Sequence, residues 1–382
     1  MTQKIIKGIT WDHSRGYVPM IATAQRFMEK YPDVKITWEK RSLQDFADKP
    51  IGQLAAEYDL LVIDHPWIGY GAEENKFLAL DSYLPPAFLE DQKANSVGRS
   101  FESYTYNNKL WSLPIDAATP VASYRPDLMQ KKHCSLPVTF DEVLKMAEKG
   151  YVILPGIAID TLMNFFMFCV SLGEAPFTEK EAVISEKTGL EALALYKSLT
   201  DKVDPLCFDL NPIKTYEQMA ASDDYLYCPF AYGYVNYAWP GYADNRLEFT
   251  DLVKLKDTSD QPLSSTLGGT GLAIAAHCQE KEIAIQYIEY VASEGCQQNL
   301  YVNSGGQPAH LKAWQSSTAN QATGQYFNAT LPALQRAYLR PRHNGYIHFQ
   351  DQAGKFIRDY LRTGGSAHNL LQQLNHLQNK AL

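Results

Sequence analysis

The sequence predicts an α/β protein with more than one core, and three observations carry that expectation. The chain has 382 residues, more than one ordinary core accommodates. The first 63 residues alternate strand and helix signals in the order β-α-β-α-β, which builds a parallel sheet with helices on both faces. The middle of the chain turns helical, and no internal repeat, low-complexity segment or long linker interrupts it. Separate cores must therefore be joined by short crossings.

Each element has its own signal. Residues 5–10 read as a strand. Met20, Ile21, Ala24, Phe27 and Met28 then fall at helical spacing. Val34, Ile36 and Trp38 alternate as a half-buried strand does, and residues 54–57 read as the end of a second helix. Residues 59–63 (DLLVI) form the continuous apolar run of a buried parallel strand. Helices are expected over 141–149, 161–172 and 189–200, and a strand near Phe230. A Pro/Gly-rich stretch follows around Trp239, and a buried strand over 271–276 leads into a helix through Ile283, Ala284, Tyr287, Ile288 and Val291. Leu370, Leu371, Leu374 and Leu377 keep helical register at the end.

Composition excludes several classes. Charge is −8 with no basic run, so the footprint of a nucleic-acid-binding protein is missing. The longest uninterrupted apolar run within 151–172 covers only 165–170, far short of a membrane span. The start MTQKIIKGITW enters a strand pattern without an apolar leader. Either the protein acts in the cytoplasm or a signal preceded this start. Six scattered cysteines have no CxxC and no zinc spacing. They read as buried free thiols, which fit a reducing compartment better than a periplasm. HExxH, GxSxG, a P-loop and GxGxxG are absent, and no metal or cofactor is expected.

In open α/β sheets ligands sit beyond the carboxyl ends of the strands. Two segments lie at such ends. One holds Trp11, Asp12, His13, Arg15 and Tyr17; the other holds Asp64, His65 and Trp67. Each combines a carboxylate and an imidazole, directional partners for hydroxyls, with an aromatic face. The competing reading has Asp12 and Asp64 capping the next helices. Adjacent Asp and His rarely point at one ion, so hydrogen bonding is the preferred reading over metal ligation. Residues 225–242 hold eight aromatics. Phe230, Tyr232 and Tyr234 alternate on one strand face, Gly233 permits close approach from the other, and so many hydroxyls suggest a cleft wall. Arg15, Arg41 and Arg125 offer guanidinium forks. Gly268 and Gly269 open a Gly-rich stretch that reads as a tight loop and lacks the Lys-Ser/Thr of a phosphate cradle.

Several segments, taken in order, resemble family 1 extracellular solute-binding proteins of the maltose- and glycerol-3-phosphate-binding type. YDLLVIDHPWIGYGAEENKFLALDSYL is similar to that family's strand-turn-helix ending in L-x-x-L-D. YNNKLWSLP is similar to its hairpin, with Asn108 where Gly is usual. Tyr124, Arg125, Pro126, Asp127 and Leu128 resemble its YRkDL. PFAYGYVNYAWPG, LGGTGLAIAAHCQEKEIAIQYIEYVAS, NSGGQPAH and RPRHNGYIHFQD resemble later family segments. The resemblance implies two lobes of the type II binding-protein fold, each a mainly parallel sheet flanked by helices, with the ligand cleft between them. Lobe 1 would hold 1–118 and 266–308, lobe 2 would hold 119–265 and 309–382, with crossings near 116–120, 263–267 and 306–310. It implies a monomer that closes on a sugar, polyol or sugar acid and presents it to an ABC permease. Asp116, Tyr124, Tyr232, Tyr234, Gly268 and Gly269 join the expected contacts. If the fold instead serves in the cytoplasm, a sensor, or a lyase-like enzyme using His13 or His65 as base on a carboxylate-bearing metabolite, is the competing reading.

Overall fold

The computed structural model describes residues 3–42, 51–179 and 182–381. In chain order its main strands are β1 (Lys4–Trp11), β2 (Val34–Arg41), β3 (Leu60–Ile63), β4 (Leu113–Ala118), β5 (Pro120–Tyr124), β6 (Tyr227–Tyr232), β7 (Glu248–Thr250) and β8 (Gly268–Ile274). The helices that matter below are α1 (Ser14–Lys30), α2 (Pro86–Ala94), α3 (Ala158–Ser171), α4 (Glu186–Thr200), α5 (Lys281–Ala292), α6 (Tyr346–Thr363) and α7 (Ala367–Ala381). The chain divides into two compact units. The first is Met1–Ala118, Gly268–Gln321 and Arg342–Asn344; the second is Thr119–Leu267, Ala322–Pro341 and Gly345–Leu382.

The first unit is built on a five-stranded sheet ordered β2-β1-β3-β8-β4. β1 runs parallel to β2 and β3, while β8 lies antiparallel between β3 and β4. The apolar run that marked β3 is fully buried: Leu60, Leu61, Val62 and Ile63 have no exposure. α1 buries Met20, Ala24 and Phe27 on one face, three of the five positions that announced it. α5 covers the same core with Ile283, Ala284, Tyr287, Ile288 and Val291.

The second unit carries a three-stranded sheet ordered β6-β5-β7. Its pairing is antiparallel throughout, not parallel as expected for this half. β5 enters the unit at the edge where β6 ends, with Pro120 opposite Tyr232, so the two must run in opposite directions. Parallel pairing in this unit, among the described residues, is confined to isolated bridges such as Val152 with Tyr227. Helices supply most of the core. α3 is buried from Asp160 through Cys169 and packs against α4 and α6. The apolar stretch at 151–172 is therefore a short extended piece followed by an all-round buried helix.

The third crossing lies between Gln321 and Ala322, not near 306–310. Residues 307–310 are tied into the first unit. Gln307 and Ala117 exchange hydrogen bonds through the Gln307 side chain and both main chains. Ala309 donates its N–H to Gln297, and Val97 donates to Ala309.

Candidate functional site

One edge of the first unit's sheet gathers most of the residues that sequence reasoning singled out. β1, β2 and β3 end there at Trp11, Arg41 and Ile63. β8 opposes β3, so it begins at that edge with Gly268, Gly269 and Thr270. β4 opposes β8, so its last residues, from Asp116 to Ala118, lie there. Five strand ends thus bring Trp11, Asp12, His13, Arg15, Arg41, Asp64, His65, Asp116, Gly268 and Gly269 to one rim.

Arg15 and Asp116 form its fixed centre. The guanidinium donates twice to the carboxylate, with Nε 2.8 Å from Oδ2 and Nη2 on Oδ1. Both side chains are buried. Burial raises the Asp116 carboxyl above its ordinary range, and the Arg15 charge opposes this. Such a two-point pair fixes an arginine in one orientation, so Asp116 acts here by holding Arg15.

His13, not Asp12, is the N-cap of α1; its Nδ1 accepts the Arg15 backbone N–H at 3.0 Å. The ring proton therefore sits on Nε2. Burial, and secondarily the Arg15 charge, lowers its pKa to about 3. The imidazole is neutral at physiological pH and a weak base. It suits hydrogen bonding to a ligand oxygen better than proton abstraction.

Asp12 is exposed and pairs with Lys40 at 2.8 Å, while the Lys40 ammonium stands 5.4 Å from the Tyr17 ring centre. Asp64 caps the turn His65–Trp67 by accepting the His65 N–H at 2.8 Å. His65 is fully buried, its ring edge-on to Tyr104. Trp67 is half-buried and meets Tyr70 edge-on. Trp11 is a core residue: its ring covers Gly16, where a Cβ would come within 2.3 Å of it. Arg41 is likewise buried beside Trp11 in register.

Gly268 and Gly269 lie in β8 itself, not in a loop. Gly269 has φ +98°, and a Cβ there would stand 2.2 Å from the Asp116 carbonyl. The glycine lets β8 press against β4 beneath the ion pair. Sequence reasoning missed Thr270 and Tyr104. Thr270 pairs with Asp116, and its buried hydroxyl has no hydrogen-bond partner among the described residues. Tyr104 donates to the Ile63 carbonyl at 3.2 Å. Thr270 stood inside the Gly-rich run, where its hydroxyl was the available signal.

The second unit places its predicted residues less uniformly. Tyr232 ends β6, half-buried, its hydroxyl 3.2 Å from Thr266 Oγ1. Tyr234 lies beyond the strand, buried and tilted against Tyr216. Tyr124 is at the opposite end of the sheet, because β5 runs against β6 and pairs Tyr124 with Tyr227. Its hydroxyl is bonded to Glu248 at 2.6 Å. Arg125 is buried and bonds Asp127, Asp223 and the carbonyls of Met219 and Ser222, a structural clamp. Tyr227, Phe230, Tyr234 and Tyr237 are core residues, so half of the aromatic segment packs inward; Tyr237 finds its polar partner in Glu217 at 2.6 Å. What approaches Gly233 is the Tyr326 hydroxyl.

The profile of the bacterial extracellular solute-binding proteins matches residues 11–298, about three quarters of the chain. The chain belongs to this family. Among solved structures, a maltose-bound MalE3 protein of T. maritima superposes with a TM-score of 0.84 at 17% identity, covering 99% of this chain and 100% of that one. A solute-binding protein of Agrobacterium radiobacter in complex with ribitol gives 0.83 at 16%, over 100% and 99%. These likenesses establish the two-lobe solute-binding fold. A maltotriose-binding protein of Pyrococcus abyssi is 30% identical over 128 residues, 34% of this chain. That match spans about a quarter of the curated relative's length, 26%. The family works as the substrate-binding component of ABC importers.

Proposed function

We propose that this protein captures a carbohydrate or polyol for an ABC permease, by binding without chemistry. The observation that carries the proposal is the convergence of five strand ends on one polar rim in a chain of the solute-binding family. The rim offers donors (Arg15, His13) beside acceptors (Asp12, Asp64). A hydroxyl needs both, since it donates and accepts at once. The maltose and ribitol complexes of the structural neighbours, and the maltotriose name of the sequence relative, support a sugar or sugar alcohol.

In the first unit the proposed contacts are His13, Arg15, Asp64, Trp67 and Thr270, with Asp12, Tyr17 and Arg41 at the margin. In the second it is Tyr232, since Tyr234 packs into the core against Tyr216. Asp116 and Gly269 position the rim, whereas Trp11, His65 and Tyr124 have structural surroundings. The neutral His13 supports binding over base catalysis. We also propose that the protein acts outside the cytoplasm, as its family does, and as a monomer.

Thermal-shift screening against sugars, polyols and sugar acids tests the ligand class. A ligand at 100 times its Kd adds about 2.7 kcal/mol of stability. Stabilisation by dicarboxylates and by no carbohydrate would overturn the proposal. Small-angle scattering should show compaction on binding, as rigid-body closure requires; an unchanged profile at saturation would count against the transport role.

A further inference from the structure

We propose that Asp91, Glu294 and His310 form a site for a divalent transition ion of the zinc type in the first unit, apart from the polar rim. The three come from α2, from the turn Glu294–Cys296 after α5, and from the residue before the helix Leu311–Trp314. Their candidate ligand atoms all lie within 4.8 Å of one another. One imidazole and two carboxylates are a ligand set that zinc accepts.

The details favour an ion over a plain ion-pair network. His310 Nε2 lies 3.4 Å from Asp91 Oδ2. That is long for a hydrogen bond, which clusters near about 2.9–3.0 Å. It is the edge of a tetrahedron whose metal bonds are about 2.1 Å. The His310 side chain is 2% exposed, and its Nδ1 is buried without a hydrogen-bond partner among the described residues. The buried ring is thus held in place with Nε2 turned to the Asp91 carboxylate, and Nδ1 on the other side of the ring. The carboxylates are already oriented from behind: Asn95 donates to Asp91 Oδ1 at 2.7 Å, and Gln298 to Glu294 Oε1 at 3.2 Å. Outer partners of this kind aim metal ligands. A cation is already drawn to the spot, since Lys312 Nζ stands 2.5 Å from Glu294 Oε2. Lys312 is the group an entering ion would displace.

Titration calorimetry with zinc alone tests this on the tag-free full chain, stripped with a chelator. One ion per chain is expected. The D91N/E294Q double variant should bind about 100-fold more weakly or worse, since loss of mere outer partners already costs about 10–100-fold. Lys312→Met removes the competing ammonium and should tighten binding by about tenfold. Circular dichroism verifies that the variants fold; should the double variant fail, Glu294→Gln alone, at a half-exposed position, carries the test. Cobalt supplies an independent reading, because a low-coordinate protein site intensifies its visible absorption over that of the hydrated ion. Zinc binding that D91N/E294Q leaves unchanged, or a cobalt spectrum that stays that of the hydrated ion, overturns the site.

Discussion

Asp160 shows how one residue can set a pH dependence. It sits in the first turn of α3, fully inside the second unit, and its Oδ2 has no hydrogen-bond partner among the described residues. Burial alone raises its pKa to about 8. The folded chain keeps the proton that the unfolded chain releases near pH 4. This stability is complete below that value and is lost as pH rises through about 8, at up to about 1.4 kcal/mol per unit. Asp160→Asn should flatten the loss, so urea unfolding at pH 5 and pH 8 should show the variant gaining on wild type at the higher pH. His13→Ala tests the rim. Loss of one neutral hydrogen bond is about 0.5–1.5 kcal/mol, so sugar affinity should fall by about tenfold or less, with the ligand recovered unchanged by mass and NMR. Arg15 and Asp116 behave differently. Removing either partner of a buried pair costs about 3–5 kcal/mol, whereas a well-packed apolar replacement of both is often neutral. Denaturation of Arg15→Met, Asp116→Leu and the double variant should therefore find the double more stable than either single change.

At the scale of elements, the rim depends on how closely β8 meets β4. Gly269→Ala would put a Cβ at a left-handed φ and against the Asp116 carbonyl. A strained residue of this kind costs about 1–3 kcal/mol, and sugar affinity should fall with stability, because Arg15 is held from Asp116. A melt with unchanged midpoint would remove the glycine from this role. The elements of the first unit were legible because their patterns are local: the DLLVI run, the helical spacing of α1, the alternation of β2. The rim's first two segments were legible for the same reason, being strand ends next to helix starts. What could not be read was set by distant pairing. β8 had no mark saying that it would lie antiparallel beside β3, and Asp116 had none saying that it would face Arg15. Tyr124 and Tyr232 read alike as tyrosines near crossings, yet the reversal of β5 puts them at opposite ends of one sheet. The aromatic segment reads as an open wall because so many hydroxyls need partners, yet protein side chains meet several of them: Glu217 holds the Tyr237 hydroxyl and Thr266 stands beside that of Tyr232. Asp91, Glu294 and His310 are separated by too much chain for any spacing rule to unite them.

Across the whole molecule, the cysteines bear on where the protein can work. All six are free thiols, and five, Cys169, Cys207, Cys228, Cys278 and Cys296, are buried. They are shared between the units, with Cys278 and Cys296 in the first and the others in the second. Burial raises the pKa of each of the five; Cys207 is pushed up to about 11, and Cys278 and Cys296 to about 12. A thiol reacts through its thiolate, so these groups are chemically silent while the fold is intact. The cysteine count, which by itself pointed to a reducing compartment, therefore sits comfortably with an oxidising one. The exception is Cys134, half-buried, with its Sγ 3.6 Å from the Lys132 carbonyl. Titration of the native protein with an aromatic disulfide reagent at pH 8 should find one fast-reacting thiol, lost in Cys134→Ser, and six after denaturation. Saturating sugar should slow any residual reaction of the buried five, because a ligand that binds only the folded state lowers the population of opened forms. Several native thiols reacting at the rate of the unfolded chain would show that the cores open too readily to protect them, and the argument for an oxidising compartment would fail with that result.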